Sequence, residues 1–253
     1  MRRLVERVRL GSLPGLLLLF LVLVGWELVG SADSPFYPAP SSWWPALVER
    51  GQSAAIVPAL VDTLRTFGLG LTVATITGVA LGLAVGASRV VGRATGPTFE
   101  FARALPPAAI VPVATLLLGF DETMKVVVVA LAAVWPILLN TSSGVRELNP
   151  LLRDTARSLR LSKTRTLFSV LLPSVTPSVI LGIRVATPVA LVITLLVEYL
   201  TAVNGIGALV GDAQRTFQPA RVFALIVIAG ALSLAVNALV RSAEERVIRR
   251  RRR

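Results

Sequence analysis

The sequence predicts an all-α membrane protein with about six transmembrane helices and a short cytoplasmic helix between the fourth and the fifth. Of the 253 residues, 54% are hydrophobic and 16% are charged, against about 25% charged in soluble domains. The mean hydropathy is +0.75, and the apolar residues fall in long blocks separated by basic segments. Together these observations indicate a polytopic membrane protein.

The residue types that the chain lacks exclude several kinds of chemistry. It has no Cys and no His, which excludes disulfides and thiolate metal sites and removes the usual general base at neutral pH. No P-loop occurs, and no nucleophile–base set can be assembled. The sequence therefore predicts no catalytic residue, no metal site and no cofactor bound by this chain.

Six apolar segments are long enough to cross a bilayer as helices. They form a membrane domain over residues 13–240, between a basic N-terminus at 1–12 and a basic C-terminus at 241–253. The predicted spans are Leu13–Val29, Leu64–Ala87, Ala104–Phe120, Met124–Asn140, Val175–Leu200 and Val222–Val240.

The basic residues predict the orientation of these spans. Both termini and the loops after the second and fourth spans together hold 20 of the 26 Lys and Arg residues. By the positive-inside rule, both termini face the cytoplasm. The net charge of +12 then reflects membrane topology, so nucleic-acid binding is not expected. A cleaved signal ending near Gly30-Ser31-Ala32 is the alternative for the first apolar run, but the charge pattern does not require it.

The second predicted span carries a row of glycines at Gly78, Gly82 and Gly86. Residues four apart lie on one face of a helix, and small residues there let two helix backbones approach closely. The row predicts a tight helix contact, either within the subunit or with a second copy.

Prolines interrupt the third and fourth spans, at Leu105-Pro106-Pro107, Pro112 and Pro136. Broken helices at membrane depth often line cavities, although a kink can also serve packing alone. Polar residues within or at the end of the fourth and fifth spans are candidates for lining a translocation path. They are Asn140, Arg184, Thr187, Thr194 and Glu198.

Arg184 and Glu198 lie about 21 Å apart along the predicted fifth helix, too far to pair. Arg184 can face the path or extend to the inner interface, and Glu198 is expected near the outer end, where it would help form a gate. Gly205 and Gly207 predict a turn or re-entrant bend after this helix. No strand precedes them, so a dinucleotide site is not expected.

The basic segment at about 150–173 resembles the EAA loop of ABC importer permeases, E-A-A-x3-G-x9-I-x-L-P. Here Asp154-Thr155-Ala156 is followed after three residues by Arg160, and after nine more by Val170-x-Leu172-Pro173. Three further stretches resemble the nitrate/sulfonate/taurine branch of binding-protein-dependent permeases. They are Leu105-Pro106-Pro107, residues 136–141, and Glu198 with Gly205-Ile206-Gly207.

This resemblance implies a type I ABC importer permease fold in the bacterial inner membrane. It also implies a second permease subunit, expected to be an identical copy, an extracytoplasmic solute-binding protein, and two ABC ATPase subunits that carry ATP and Mg. The EAA segment of the family forms a coupling helix that contacts the ATPase. By resemblance, the ATPase-coupling residues are Asp154, Thr155, Ala156, Ser158, Leu159, Arg160, Leu161, Leu172 and Pro173.

The segment departs from the family pattern at three positions. Asp154 replaces Glu, Thr155 replaces Ala, and Arg160 replaces Gly. Residues other than glycine are disfavoured in the left-handed backbone conformation. We therefore expect either a different bend after the coupling helix or an Arg160 that pairs with an acidic residue of its ATPase.

The resemblance favours a small organic or inorganic anion as solute, such as a sulfonate, taurine or nitrate. The same branch also imports pyrimidine-type vitamin precursors and aromatic acids. An ion-coupled secondary transporter is the alternative outside this family, but it typically shows inverted repeats and mid-membrane acidic residues, which the sequence does not offer. A membrane scaffold or receptor subunit would not need the kinked spans.

Overall fold

The computed structural model describes residues 17–32, 34, 36–48 and 52–251, without the side chains at 52, 153, 163 and 247–251. The predicted basic N-terminus and the first residues of the first span lie outside the described residues. All regular structure in the described part of the chain is helical. The helices are α1 Leu17–Val29, α2 Trp43–Val48, α3 Ile56–Ala87, α4 Arg89–Ala104, α5 Pro107–Leu118, α6 Glu122–Arg146, α7 Pro150–Ser158, α8 Lys163–Thr166, α9 Leu172–Thr201, α10 Ile206–Arg215 and α11 Pro219–Arg251.

Within the described residues, four helices are long and apolar enough to cross a membrane on their own. They are α3, α6, α9 and α11, and they match the second, fourth, fifth and sixth predicted spans. Each extends beyond its predicted bounds at one end or both, because the helical conformation continues past the apolar block. The described part of the first predicted span is the shorter apolar helix α1.

The predicted third span, Ala104–Phe120, contains the shorter helix α5, which meets the preceding helix α4 at an angle of 93°. Leu105 and Pro106 are extended between α4 and α5, with ψ angles of 124° and 126°. A residue before proline avoids the helical region, and Leu105 and Pro106 each precede a proline, so the chain must bend here. Because α5 rises only about 18 Å, it is shorter than a bilayer core of about 30 Å.

The core of the bundle forms where α6 packs between α3 and α9. Met124, Val128 and Ile137 of α6 are fully buried there, together with Leu191 and Val197 of α9. Because lipid tails are as apolar as these side chains, moving the side chains out of lipid contributes little free energy. Close packing of the helices must therefore stabilise this core.

The predicted glycine row lies in the α3–α6 interface, so the tight contact is within the subunit. A Cβ atom at Gly78 would lie 2.9 Å from the Cβ of Ile137, and one at Gly82 would lie 2.6 Å from the Cβ of Thr141. Gly86 approaches Val145 in the same way, with a corresponding distance of 2.7 Å. Gly70 continues the row at the same spacing, and the fully buried Ala74 lies between them.

Candidate functional site

Helix α7 is a short surface helix in the connection between α6 and α9. It begins at Asn149, whose side-chain Oδ1 accepts a hydrogen bond from the Leu151 N–H at 3.0 Å, and Pro150 occupies its first turn. This is a favourable start for a helix, because the cap satisfies a free N–H and proline needs none. The predicted coupling residues Asp154, Thr155 and Ala156 therefore lie on a well-formed helix.

The turn that ends α7 holds Arg160, which stands at the Gly position of the EAA pattern, in the left-handed conformation. Arg160 has a φ of 49°. Its N–H bonds to the Arg157 carbonyl at 2.9 Å, and the Leu161 N–H bonds to the Ala156 carbonyl at 3.0 Å. These are the two hydrogen bonds of a Schellman motif. Arg160 thus adopts the left-handed conformation despite its Cβ atom, and its pairing with an acidic residue of an ATPase stays a prediction.

The side chains of α7 leave a mixed polar and apolar surface free. Asp154 lies 3.7 Å from Arg157, and both side chains are well exposed. Ser158 is exposed, and Leu151 and Leu159 are each 66% exposed. Ala156 is the buried residue of this helix, at 3%. A surface with exposed leucines beside an accessible carboxylate suits contact with another protein.

The chain returns from α7 to the bundle through a compact connection. Leu161 is partly buried, α8 follows, and a π-helical turn at Leu167–Leu171 leads into α9. Helix α9 begins at Leu172, directly after the π-helical turn, with Pro173 as its second residue. The return of the chain into the membrane at Leu172 and Pro173 stays a prediction.

A cleft of about 1180 Å³ lies between α4, α5, α6 and α9. Pro107 and Pro136 line it, so the proline-interrupted helices do border a cavity. The lining is mainly apolar, with Glu100, Arg103 and Asn140 as polar members. The Asn140 Nδ2 donates to the Pro136 carbonyl at 2.8 Å, which fixes the orientation of the side-chain amide at the cleft.

The other predicted path residues lie in packed regions of the described structure. The hydroxyls of Thr187 and Thr194, both fully buried, donate to the Ile183 and Ala190 carbonyls at 2.8 Å. Arg184 is partly exposed and lies 3.5 Å from Glu244 of α11. In this conformation, Asn140 is the predicted path residue that borders the cleft.

Glu198 lies in a buried polar cluster at the end of α9 remote from α7. Its side chain is 0% exposed, and its Oε2 accepts from the Thr63 hydroxyl at 2.9 Å and from the Gly207 N–H at 3.1 Å. Gly205 has a φ of 124° and is the residue before α10, so the predicted turn leads directly into a helix. A side chain at Gly205 would collide with the Glu198 carboxylate, so glycine is required there for this packing.

Lys125 is a buried polar residue that the sequence did not single out. It is 2% exposed, and its Nζ donates to the Val203 and Asn204 carbonyls at 3.3 and 3.1 Å. These carbonyls follow the end of α9, where a helix carries partial negative charge. The sequence signal for its burial was a lysine at the start of an apolar run. The charge distribution alone assigned Lys125 only to the outer side of the membrane.

Comparison with known proteins gives a consistent family assignment. Residues 70–253 match the family described as binding-protein-dependent transport system inner membrane component. The chain is 28% identical to the nitrate import permease protein NrtB of Leptolyngbya laminosa, over 94% of this chain and 88% of that one. It is 27% identical to a putative aliphatic sulfonates transport permease protein, SsuC, of Bacillus subtilis, over 96% and 89% of the two chains.

A third relative and a solved structure extend this comparison. The bicarbonate transport system permease protein CmpB of Synechococcus elongatus is 27% identical over 86% of this chain and 83% of that one. An inward-facing structure of the MetNI methionine ABC transporter superposes with a TM-score of 0.61. That match covers 76% of this chain and 98% of the other at 14% identity, so it concerns the fold alone.

Proposed function

Because this chain belongs to the family of binding-protein-dependent transport system inner membrane components, we propose that it is the permease subunit of an ATP-driven importer of a small anion. Its ATPase is a separate pair of subunits that bind ATP and Mg. An extracytoplasmic binding protein delivers the solute, and a second copy of the chain completes the path.

The geometry of α7 is the observation that carries this proposal. A nine-residue helix stands on the surface between two membrane-crossing helices, α6 and α9, with the spacing of the EAA segment. Its exposed Asp154, Ser158 and Leu159 are the residues that we propose to contact the ATPase. Short connections join α7 to α6 and to α9, so a displacement of α7 is passed to the core of the bundle.

The mechanism that follows is alternating access. ATP-driven closure of the ATPases moves α7, and the bundle changes between two arrangements whose populations ATP biases. The compact connection from Leu161 to Leu172 makes α7 and α9 move together. Close packing of α3 against α6 through the glycine row keeps those two helices as one body during the change.

We propose that the solute passes along the cleft between α4, α5, α6 and α9. Arg103 and Asn140 offer positive charge and hydrogen-bond donors there, although Glu100 lies in the same lining. The names of the relatives specify nitrate, aliphatic sulfonates and bicarbonate, which are all small anions. Thr187 and Thr194 would meet the solute only in a state in which α9 separates from its neighbours.

We propose that α7 and both termini face the cytoplasm. The basic residues of the sequence concentrate at that end, as the positive-inside rule requires. The cluster around Glu198 then lies at the outer end, on the side where the binding protein docks.

Purification of the tagged chain in mild detergent, followed by mass spectrometry of what accompanies it, tests the proposal. We expect a stoichiometric P-loop ATPase, whose gene neighbours would identify the binding protein and the solute. A homo-oligomer without an ATPase, under conditions in which other ABC importers stay intact, would contradict the proposal.

A further inference from the structure

A second, smaller pocket lies at the α7 end of the bundle, away from the cleft. Its volume is about 490 Å³, within the range of small-molecule sites. It forms where α3 ends, α4 begins and α6 ends, next to the start of α7. The lining residues are Gly86, Ala87, Arg89, Gly92, Arg93, Arg146, Leu148 and Pro150.

Three arginines and no acidic residue line this pocket. Arg89 and Arg93 come from the first two turns of α4, and Arg146 comes from the last turn of α6. None of the three forms a salt bridge within the described residues. Like charges that line one pocket repel one another, and an anion bound among the three arginines would offset that repulsion.

Glycine makes room for the guanidinium groups. A Cβ atom at Gly92 would lie 2.9 Å from the Arg146 Nη2, so the Arg146 side chain lies across the face of α4 that has no side chain. Arginine presents several N–H donors in one plane and binds phosphate oxygens in pairs. Arginine binds carboxylate and phosphate oxygens alike, and the described lining of this pocket contains no carboxylate, so the donor set is left to bind a phosphate group.

The character of α4 suits a position at the depth of lipid headgroups, which we assign to this pocket. The 93° bend between α4 and α5 turns α4 across the bundle, with exposed apolar side chains at Val90 (77%) and Phe101 (69%). A helix with arginines on one face and exposed apolar groups on another is typical of the membrane interface. Basic pockets beside membrane-crossing helices bind anionic headgroups.

We propose that Arg89, Arg93 and Arg146 form a binding site for a phosphate group, supplied by an anionic phospholipid headgroup or by free phosphate. An occupant would contact the segment at Leu148 and Pro150, where α7 begins. Binding of a lipid headgroup or of free phosphate in this pocket would therefore affect the position of α7. This site is independent of the cleft and of the solute proposed above.

Native mass spectrometry of the full-length chain, purified and delipidated, tests the site. Phosphatidylglycerol, phosphatidylcholine and inorganic phosphate are the probes. We expect phosphatidylglycerol to bind more tightly than phosphatidylcholine. The double variant R89Q/R146Q should weaken that binding by about a hundredfold, since each lost hydrogen bond between charged groups reduces affinity by about tenfold.

Two further variants test whether binding depends on the pocket itself or only on the net positive charge of the chain. R241Q/R246Q also removes two positive charges, from exposed positions on α11, and should change phosphatidylglycerol binding by less than about threefold. Gly92→Leu leaves the net charge unchanged and fills the pocket, and it should weaken binding by more than about tenfold. Leucine also favours helix over glycine, so this variant should fold.

The outcomes distinguish the sources of the phosphate. Displacement of the lipid by millimolar inorganic phosphate would support the site with free phosphate as its ligand, and resistance to displacement would support the lipid. Equal phosphatidylglycerol binding by wild type, R89Q/R146Q and Gly92→Leu would overturn the proposal. Unchanged lipid affinity together with loss of a co-purifying protein in R89Q/R146Q would also overturn it, in favour of protein docking.

Discussion

The carboxylate of Glu198 and the hydroxyl of Thr63, 135 positions apart in the sequence, lie 2.9 Å from each other in a fully buried cluster. The Thr63 oxygen also accepts the Ile206 N–H at 2.9 Å, while the Glu198 Oε2 accepts the Gly207 N–H. Two side chains thus join α3, α9 and α10. The cluster fixes the elbow between α9 and α10 in the described conformation.

Glu198→Ala should destabilise the fold before it affects a gate. The substitution leaves the Thr63 hydroxyl and the Gly207 N–H without their acceptor and opens a cavity, with an expected loss of about 2–4 kcal/mol in the free energy of unfolding. Glu198→Gln keeps an acceptor of the same shape and should lose less. Thermal unfolding in detergent measures both; an unchanged melting temperature with abolished transport would instead indicate a gating role.

Gly82→Ala should destabilise the α3–α6 contact. The new Cβ atom would lie 2.6 Å from the Thr141 Cβ and 2.8 Å from the Leu138 carbonyl oxygen, and such overpacking costs about 1–3 kcal/mol. Gly68 lies on the same helix, and a Cβ atom there would have no neighbouring atom within 4 Å. Gly68→Ala is therefore the control, and it should keep or raise the melting temperature through its better helix propensity. An equal change of melting temperature in the two variants would contradict the conclusion that the glycine row forms the α3–α6 contact.

Arg160→Gly should stabilise the turn after α7. Arg160 has a φ of 49°, and a residue with a Cβ atom loses about 1–2 kcal/mol in that region relative to glycine. Hydrogen exchange of the Leu161 amide should slow by about fivefold or more. Arg160→Ala keeps the Cβ atom and should bring no such gain, so equal slowing in both variants would show that the arginine side chain, rather than backbone strain, was responsible.

Asp154→Lys should uncouple ATP hydrolysis from transport. The carboxylate is exposed on α7, and reversal of its charge would place a positive group on the surface that we propose to contact the ATPase. We expect transport by the reconstituted complex to fall by about tenfold or more, while membrane insertion stays at the wild-type level. Asp154→Glu restores the acidic residue of the family pattern and serves as the control. Wild-type transport by Asp154→Lys would remove this residue from the coupling surface.

Much of the helical architecture follows from local pattern in the sequence. Apolar length predicted the four long helices, and a four-residue spacing predicted the contact made by Gly78, Gly82 and Gly86. The layout of the loop after the fourth predicted span indicated a short surface helix, and α7 lies there; its role in coupling was inferred from the family resemblance and stays a prediction. These features depend on residues that are close in sequence, so each can be recognised from a single chain.

The features that sequence reasoning missed depend on distant or competing interactions. The hydrogen bond between Thr63 and Glu198 joins two helices that no local pattern relates. Lys125 is buried because it meets the carbonyls that follow α9, some 80 residues later. The segment after the second predicted span was predicted to be a loop because it holds Arg89, Arg93 and Arg103. These residues lie on α4, an amphipathic helix.

Site-directed cross-linking from α7 tests the central claim most directly, because the natural chain has no cysteine. A single cysteine at Ser158, exposed on α7, would be compared with one at Ser53, exposed at the opposite end of the bundle beside the start of α3. In membranes that contain the co-expressed ATPase, we predict that a thiol-reactive photocross-linker attached to the single cysteine joins the Ser158→Cys chain to the ATPase on illumination and leaves the Ser53→Cys chain unlinked. Absence of the α7 cross-link, or equal linking from both positions, would contradict the assignment of α7 as the coupling helix.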